Sequence, residues 1–474
     1  MKPIIAIAGA TGFIGRWFIQ KYRDKYRFIA LTRRKVDSPQ QDPDVEWRQV
    51  EMYSLSSTSR ALEGADYALY LVHSMSPSTR LNQGSFEDTD LLLADNFARA
   101  AELQGVRQIV YLGGILPDEK EKFSRHLRSR FEVEQTLGKR SPSLTSLRAG
   151  IIVGPGGSSF RIMEKLVRRL PIMLAPKWTT SRTQAIALED MLRMIDHVMG
   201  EEAYFDQAFD VGHHEKTTYV EMMRTVAELV GRKPPIIPVP FLSVGLSKLW
   251  VATIAEASTT LVSPLVESLR HELLVSPNKL MDQFPDTLPF RQAAEKALFE
   301  KDSIPQLPAH GHVESEKNTV RSVQRLPNPQ RHSATWVARR YQIWLPHYFR
   351  YLITARQEGE DTVFSIAGVP LLQLRFVKDR SDDDRQIFFV VGGHLVKRKD
   401  YGWLEFRRVL DGTSVISAIH EFVPALPWFI YVATQAKVHL WVMRKFGQYL
   451  DQNTSLEPRP EGRSRLASET DKAR

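Results

Sequence analysis

Over the first 150 residues, short apolar runs alternate with segments whose apolar positions recur at helical spacing. That alternation predicts strands joined by helices in a parallel sheet. The expected strands are Ile4–Ala8, Phe28–Leu31, Trp47–Met52, Tyr67–Val72, Arg107–Leu112 and Ser146–Val153. The expected helices are Phe13–Tyr22, with Ile14, Trp17, Phe18 and Tyr22 on one face, a short one through Leu62, and a long one over Asp88–Gln104. Six strands with right-handed crossovers make a doubly wound α/β sheet.

Helical periodicity then dominates, at Phe160–Leu170, Met191–Met199, Tyr219–Val230, about Leu242–Glu256 and about Pro264–Leu274, with a proline-rich step over 234–240. These segments predict a smaller lobe, so residues 1–300 are read as one Rossmann-type unit. Residues 301–335 carry Pro305, Pro308, Pro327 and Pro329 in polar surroundings and read as a linker. From 336 to 451, runs rich in β-branched and aromatic residues recur at Tyr348–Thr354, Thr362–Ile366, Leu371–Val377, Gln386–Val391, Gly402–Val409 and Ser414–Phe422. One long helix, Trp428–Leu450, closes this expected α+β domain. Residues 452–474 are polar, mixed in charge and expected to be disordered.

The first strand runs into Gly9-Ala10-Thr11-Gly12-Phe13-Ile14-Gly15 and then a helix. Strand, glycine turn and helix in that order suit a dinucleotide: Gly9 for the tight turn, Gly12 for approach of the pyrophosphate, Gly15 for close packing of helix on strand. The second strand ends in Thr32-Arg33-Arg34-Lys35, with no carboxylate in reach. Arginines there suit the 2′-phosphate of NADP(H), with NAD(H) as the alternative. The chain has no cysteine, which excludes a disulfide framework, a thiol nucleophile and Cys-ligated metal sites. Its net charge of +9 is modest for 474 residues, and no basic cluster is interleaved with aromatics. Nucleic acid is therefore not an expected partner, and at most a peripheral membrane contact is. The apolar stretches Ile236–Ala255 and Val423–Phe446 are interrupted by Pro and polar residues and make poor membrane spans. A strand so close to the start leaves no signal peptide expected, so a cytoplasmic protein is the reading.

Gly9–Gly15, Asp95-Asn96-Phe97-Ala98-Arg99-Ala100-Ala101, Ile109-Val110-Tyr111-Leu112-Gly113-Gly114 and Leu147-Arg148-Ala149-Gly150-Ile151-Ile152-Val153-Gly154 resemble the atypical NAD(P)-binding short-chain dehydrogenase/reductases. That group includes NmrA-like redox regulators and the nucleotide-binding accessory subunit of respiratory complex I. The likeness covers about 1–300; the C-terminal domain resembles START-like, helix-grip folds more weakly. The resemblance implies that Thr11, Phe13 and Ile14 join the glycines at the cofactor and that Arg33 and Arg34 read its 2′ position. It places Glu51 at the adenine and Leu71, Val72 and His73 along the adenosine ribose. Gly113, Ala149, Gly150 and Ile151 then approach the nicotinamide side. For the apolar positions, plain core packing is the alternative.

Catalytic members of the wider family carry a hydroxyl at the end of the fifth strand, then a tyrosine with a lysine four residues on. Here the strand ends in Gly113-Gly114, and the next helix carries His126 and Arg130 at i, i+4, on one face. An imidazole can transfer a proton near neutral pH, so His126 and Arg130 are the candidate catalytic pair; a surface histidine beside a cofactor clamp is the alternative. Asp210-Val211-Gly212-His213-His214 is expected to border the substrate pocket. Its two adjacent histidines diverge, so no metal is expected. His420, Glu421, Trp428, Tyr431 and Trp441 either line a cavity in the second domain or form its core. Three functions follow: an oxidoreductase acting on an unknown hydrophobic or lipid-like molecule, a non-catalytic dinucleotide-sensing regulator, or a structural or assembly protein.

Overall fold

The computed structural model describes residues 2–36, 42–73, 81–117, 123–239, 267–308, 319–350, 352–399 and 401–452. The first sheet contains β1 (Ile4–Ala8), β2 (Arg27–Thr32), β3 (Val45–Gln49), β4 (Tyr67–Tyr70), β6 (Gln108–Gly114), β7 (Ser143–Ala149) and β8 (Gln207–Val211). Its order is β8-β7-β6-β4-β1-β2-β3, and every pair is parallel. The central strands are buried along nearly their whole length, because helices cover both faces. These helices include α1 (Phe13–Tyr22), α2 (Leu55–Ala61), α3 (Phe86–Leu103) and α4 (Arg125–Leu137). The doubly wound α/β reading stands, with a seventh strand, β8, added at one edge.

Two strand boundaries differ from expectation. The third strand is Val45–Gln49 rather than Trp47–Met52, because the chain must turn at residue 53 for Ser54 to cap α2 by accepting from the Ser57 amide. The sixth ends at Ala149. After Gly150, Ile152 and Val153 leave the sheet and pair with Ile186 and Ala187. The smaller lobe holds α5 (Ser158–Arg169), α6 (Leu188–Val198), α7 (Tyr219–Leu229) and α8 (Phe290–Phe299). Part of its proline-rich step is a strand, Ile236–Val239, parallel to Met173–Pro176. The helix expected at Leu242–Glu256 lies outside the described residues. Of the one expected at Pro264–Leu274, the described part is helical only at residues 267–268.

The second sheet comprises β9 (Val320–Pro327), β10 (Ile353–Glu358), β11 (Asp361–Ile366), β12 (Val369–Phe376), β13 (Arg385–Gly392), β14 (Trp403–Val409) and β15 (Ser414–Phe422). It runs β10-β11-β12-β13-β14-β15-β9 and ends on β5 (Leu81–Gln83), a strand sent across from the first half of the chain. All its pairs are antiparallel except β9 with β5. Thus the stretch expected as a linker contains β9, an eight-residue strand buried by its partners. The run Tyr348–Thr354 is not one strand: Tyr348 ends α9 (Ala334–Tyr348), and β10 starts at Ile353. The closing helix is two, α10 (Trp428–Ala433) and α11 (Gln435–Gln452), broken at Thr434 by non-helical dihedrals. Tyr341 and Trp344 of α9 pack with Phe406 and Phe446 against one sheet face. Residues 453–474 lie outside the described residues.

The two halves share a core as well as a strand. Val323, Val409, Ile416 and Ala418 of the second sheet sit in one cluster with Leu91, Leu92 and Phe97 of α3. Beside them lies a buried ionic seam. Arg407, fully buried, donates to Asp95 Oδ2 at 2.8 Å and to Glu405 Oε2 at 3.0 Å. Arg99 and Arg385 donate to the same two carboxylates, and His420 Nε2 lies 3.1 Å from Glu405 Oε1. Although burial works against its charge, Arg407 and Arg385 hold Glu405 well below the usual carboxylate range.

Candidate functional site

The glycine turn connects β1 to α1 as expected. Gly9 has a φ of +95°, a left-handed conformation that glycine adopts without strain. Its carbonyl accepts from the Gly12 amide at 2.8 Å. A Cβ on Gly15 would stand 2.5 Å from the Gly9 oxygen and 2.8 Å from Ala10 Cα, so Gly15 sets the helix-to-strand distance. A Cβ on Gly12 would meet only the Gly9 oxygen, at 3.0 Å, and otherwise fill the exposed outer side of the turn. Helix α1 starts without a side-chain cap and without an acid in its first turn, so its amides remain available to an anion. Thr11 and Phe13 are half-buried in this turn, while Ile14 is turned into the core. The residues present therefore fit a pyrophosphate.

Arg33 and Arg34 are exposed just beyond β2. Neither forms an ion pair among the described residues. Glu51 is also exposed, but it is engaged: Oε1 accepts from the Tyr53 amide, and Oε2 lies 3.5 Å from Arg321 of β9. Arg321 in turn stacks on the Tyr53 ring, with its guanidinium carbon 3.5 Å from the centroid, and pairs with Glu421. The residue expected at the adenine thus also touches the second domain. Leu71 packs beside Gly9, and Val72 is half-buried next to it.

Further along the same carboxyl edge of the sheet, the ends of β6 and β7 open onto a cavity of about 160 Å³. Its walls are mostly apolar, formed by Ile115, Met163, Leu166, Met223 and Leu273 with Gly114, Ala149 and Gly150. Helix α4 reaches it because Ser124 caps the helix, accepting from the Leu127 amide, and lies 2.9 Å from the Ser268 hydroxyl. That brings His126 into the wall. Burial, with repulsion from Arg130, pushes its imidazole down to about 3. The ring is neutral at physiological pH, which revises the expectation of a group poised near neutrality. His73, just after β4, lies within electrostatic range of both Arg130 and His126. The Arg130 carbonyl accepts from the Tyr111 hydroxyl, and a Cβ on Gly114 would lie 4.0 Å from Arg130 Cγ. Gly113, by contrast, faces the Tyr111 ring.

Other candidates are tied up structurally. His213 Nδ1 lies 2.9 Å from the Thr287 hydroxyl, and His214 Nε2 lies 3.1 Å from the Phe284 carbonyl oxygen, so the pair holds the lobe together. His420 belongs to the ionic seam, while Trp441 is 40% exposed and is not core. The sequence reading missed Trp178 and Tyr219, which also line the cavity. The Trp178 Nε1 is buried and has no hydrogen-bond partner among the described residues. No spacing rule links residues 126, 178 and 219. Only the packing of α4, the 177–180 turn and α7 brings them to one cavity.

A parallel doubly wound sheet with a glycine turn under a helix N-terminus defines a Rossmann-type dinucleotide domain. Residues 9–158 match the model of a family described as NAD(P)H-binding, and this part of the chain binds a nicotinamide dinucleotide. The chain is 27% identical over 253 residues to the ceramide reductase of Caulobacter vibrioides, spanning 50% of this chain and 74% of that protein. It is 27% identical over 114 residues to auxiliary protein GraX of Staphylococcus aureus, spanning 24% of this chain and 37% of that one. A solved structure, the triphenylmethane reductase of Citrobacter sp. complexed with NADP(H), is 17% identical and covers 62% of this chain and 99% of its own, with a TM-score of 0.49.

Proposed function

We propose that this chain is an NADPH-preferring reductase acting on a carbonyl within a hydrophobic, lipid-like molecule. The observation that carries this reading is the apolar cavity at Gly114, Ala149 and Gly150, with His126 in its wall. A cavity near 150 Å³ accepts an apolar group about the size of benzene, so a larger substrate would extend through the mouth. The name of the Caulobacter relative, a ceramide reductase, is in keeping with such a substrate.

When bound, the dihydronicotinamide supplies a hydride to the carbonyl carbon, and the C=O π pair moves to oxygen. Neutral His126 donates its ring N–H to that oxygen and transfers the proton as the alkoxide forms, leaving an imidazolate that solvent re-protonates to the neutral ring. Arg130, one helical turn on, keeps positive charge nearby throughout. Arg33 and Arg34 bind the 2′-phosphate, Gly9–Gly15 the pyrophosphate, and Glu51 the adenine.

The test is oxidation of NADPH, followed by its absorbance, with a panel of long-chain ketones. Turnover by the wild type and a fall of about 10²–10⁴-fold in kcat for His126→Gln, with NADPH affinity kept, is the expected result. Equal turnover by His126→Gln would remove that residue from the chemistry. A dinucleotide-sensing role is the second reading, favoured by the absence of a hydroxyl at Gly113-Gly114 and by the Glu51–Arg321 contact between domains. Tight NADPH binding without turnover on any ketone would favour it.

A further inference from the structure

On the second domain, the outer side of α10 and α11 and the end of α9 present large apolar side chains to solvent. Phe429 is 75% exposed, Leu352 61%, Val438 54% and Trp441 40%, with Tyr348 and Ile430 just below. Several of them are neighbours. The Tyr348 and Trp441 rings are 5.7 Å apart, Val438 lies one turn before Trp441, and α10 runs on through Thr434 into α11. A monomer rarely leaves such a contiguous patch uncovered without a use for it.

Along the segments that carry the patch, the charge has one sign. From Trp428 to Leu450, and again from Ala334 to Gln357, the sequence contains no Asp or Glu. Arg350, Arg356, Lys437 and Arg444 are exposed there, and none forms an ion pair among the described residues. A second copy of this face would oppose like charges. An anionic lipid surface would complement it, and Trp and Tyr are side chains that settle at headgroup depth. No described helix is long and apolar enough to cross a membrane, so the contact is peripheral.

We infer that this face docks the protein on a bilayer containing anionic phospholipid, α10 and α11 lying in the interface with Phe429 and Trp441 inserted and the basic side chains among the headgroups. This does not rest on the reductase reading. It can be tested by sedimenting the full chain with vesicles of phosphatidylcholine alone and of phosphatidylcholine mixed with phosphatidylglycerol. Binding to the mixed vesicles, much weaker binding to the neutral ones, and partial release by salt are expected. A Phe429→Ser, Trp441→Ser double variant should bind at least about tenfold more weakly. So should Lys437→Glu, Arg444→Glu, whose exposed positions spare the fold. A Val369→Ser control, on β12, should bind as wild type. NADPH affinity and melting temperature unchanged in these variants would locate the loss at the patch. Wild type left in the supernatant with both lipids, or variants that bind as wild type does, would overturn the inference. So would a concentration-dependent dimer that is lost in Phe429→Ser and shows no vesicle binding.

Discussion

The cavity at the ends of β6 and β7 and the seam between α3 and the second sheet are both interior regions, but their chemistry is opposite. The cavity is walled mostly by apolar side chains. In the seam, charges answer charges: Asp95 takes two arginines, Glu405 takes two arginines and a histidine. The seam is charge-paired and holds shape, although Arg407 Nε and His420 Nδ1 are buried without a hydrogen-bond partner among the described residues. A space with apolar walls and unfilled volume is suited to a guest. The dinucleotide cleft falls on the same side of the contrast, since α1 starts uncapped and Arg33 and Arg34 carry no ion pair among the described residues.

That contrast can be broken at four places. Arg407→Ala should have the largest effect on the fold, costing about 3–5 kcal/mol, because Asp95 and Glu405 would lose a partner while still buried. Urea unfolding would check it, and a loss below about 1 kcal/mol would mean that water replaces the guanidinium. In the cleft, Gly12→Val should leave the melting temperature close to wild type and abolish NADPH binding measured by calorimetry. Gly15→Val should instead lose stability, since its Cβ would meet backbone at 2.5 Å. Next in size, Arg33→Ala should weaken NADPH relative to NADH by about 1.5–3 kcal/mol, the worth of a charge-assisted contact. Equal losses for both cofactors would show that Arg33 does not read the 2′ position.

The smallest effect concerns pH. His126 has a pKa of about 3 in the fold against 6.5 for the ordinary group. As pH falls below 6.5 the unfolded chain takes up the proton first, so the stability this group contributes is complete above 6.5 and is lost progressively toward 3. Buried His439, lowered to about 4, acts in the same direction. Between neutral pH and pH 5, His126→Gln should lose about 1–2 kcal/mol less than wild type in pH-jump denaturation curves. Parallel curves would place the imidazole in contact with water.

The first sheet was legible because its strands are continuous apolar runs and its glycine turn has a fixed spacing. The second half was less so, for identifiable reasons. Val320–Pro327 lies among prolines and polar residues, yet it is buried by its partners, β15 and β5. The α9 helix contains Pro346 and aromatic residues that read locally as strand. Thr434 breaks a periodic segment that carries neither Gly nor Pro at that point. At the site, the cofactor turn could be read from spacing, whereas the His126 environment depends on burial, which spacing does not report. Glu51 is expected at the adenine only from the resemblance, and its tie to Arg321 joins positions 270 residues apart.

The β5 strand, Leu81–Gln83, makes those separations matter for how the chain is born. Among the described residues its one strand partner is β9, whose residues leave the ribosome some 240 positions later. The β5 segment must therefore wait as an unpaired edge, and Asp95 of α3 with Arg99 alone, until residues 320–422 have been made. A chain cut at residue 300 would keep that unfinished edge for good, and such edges recruit other strands. The second domain is, in effect, the built-in escort of the first, and the pair is inherited as one folding unit rather than as two exchangeable modules.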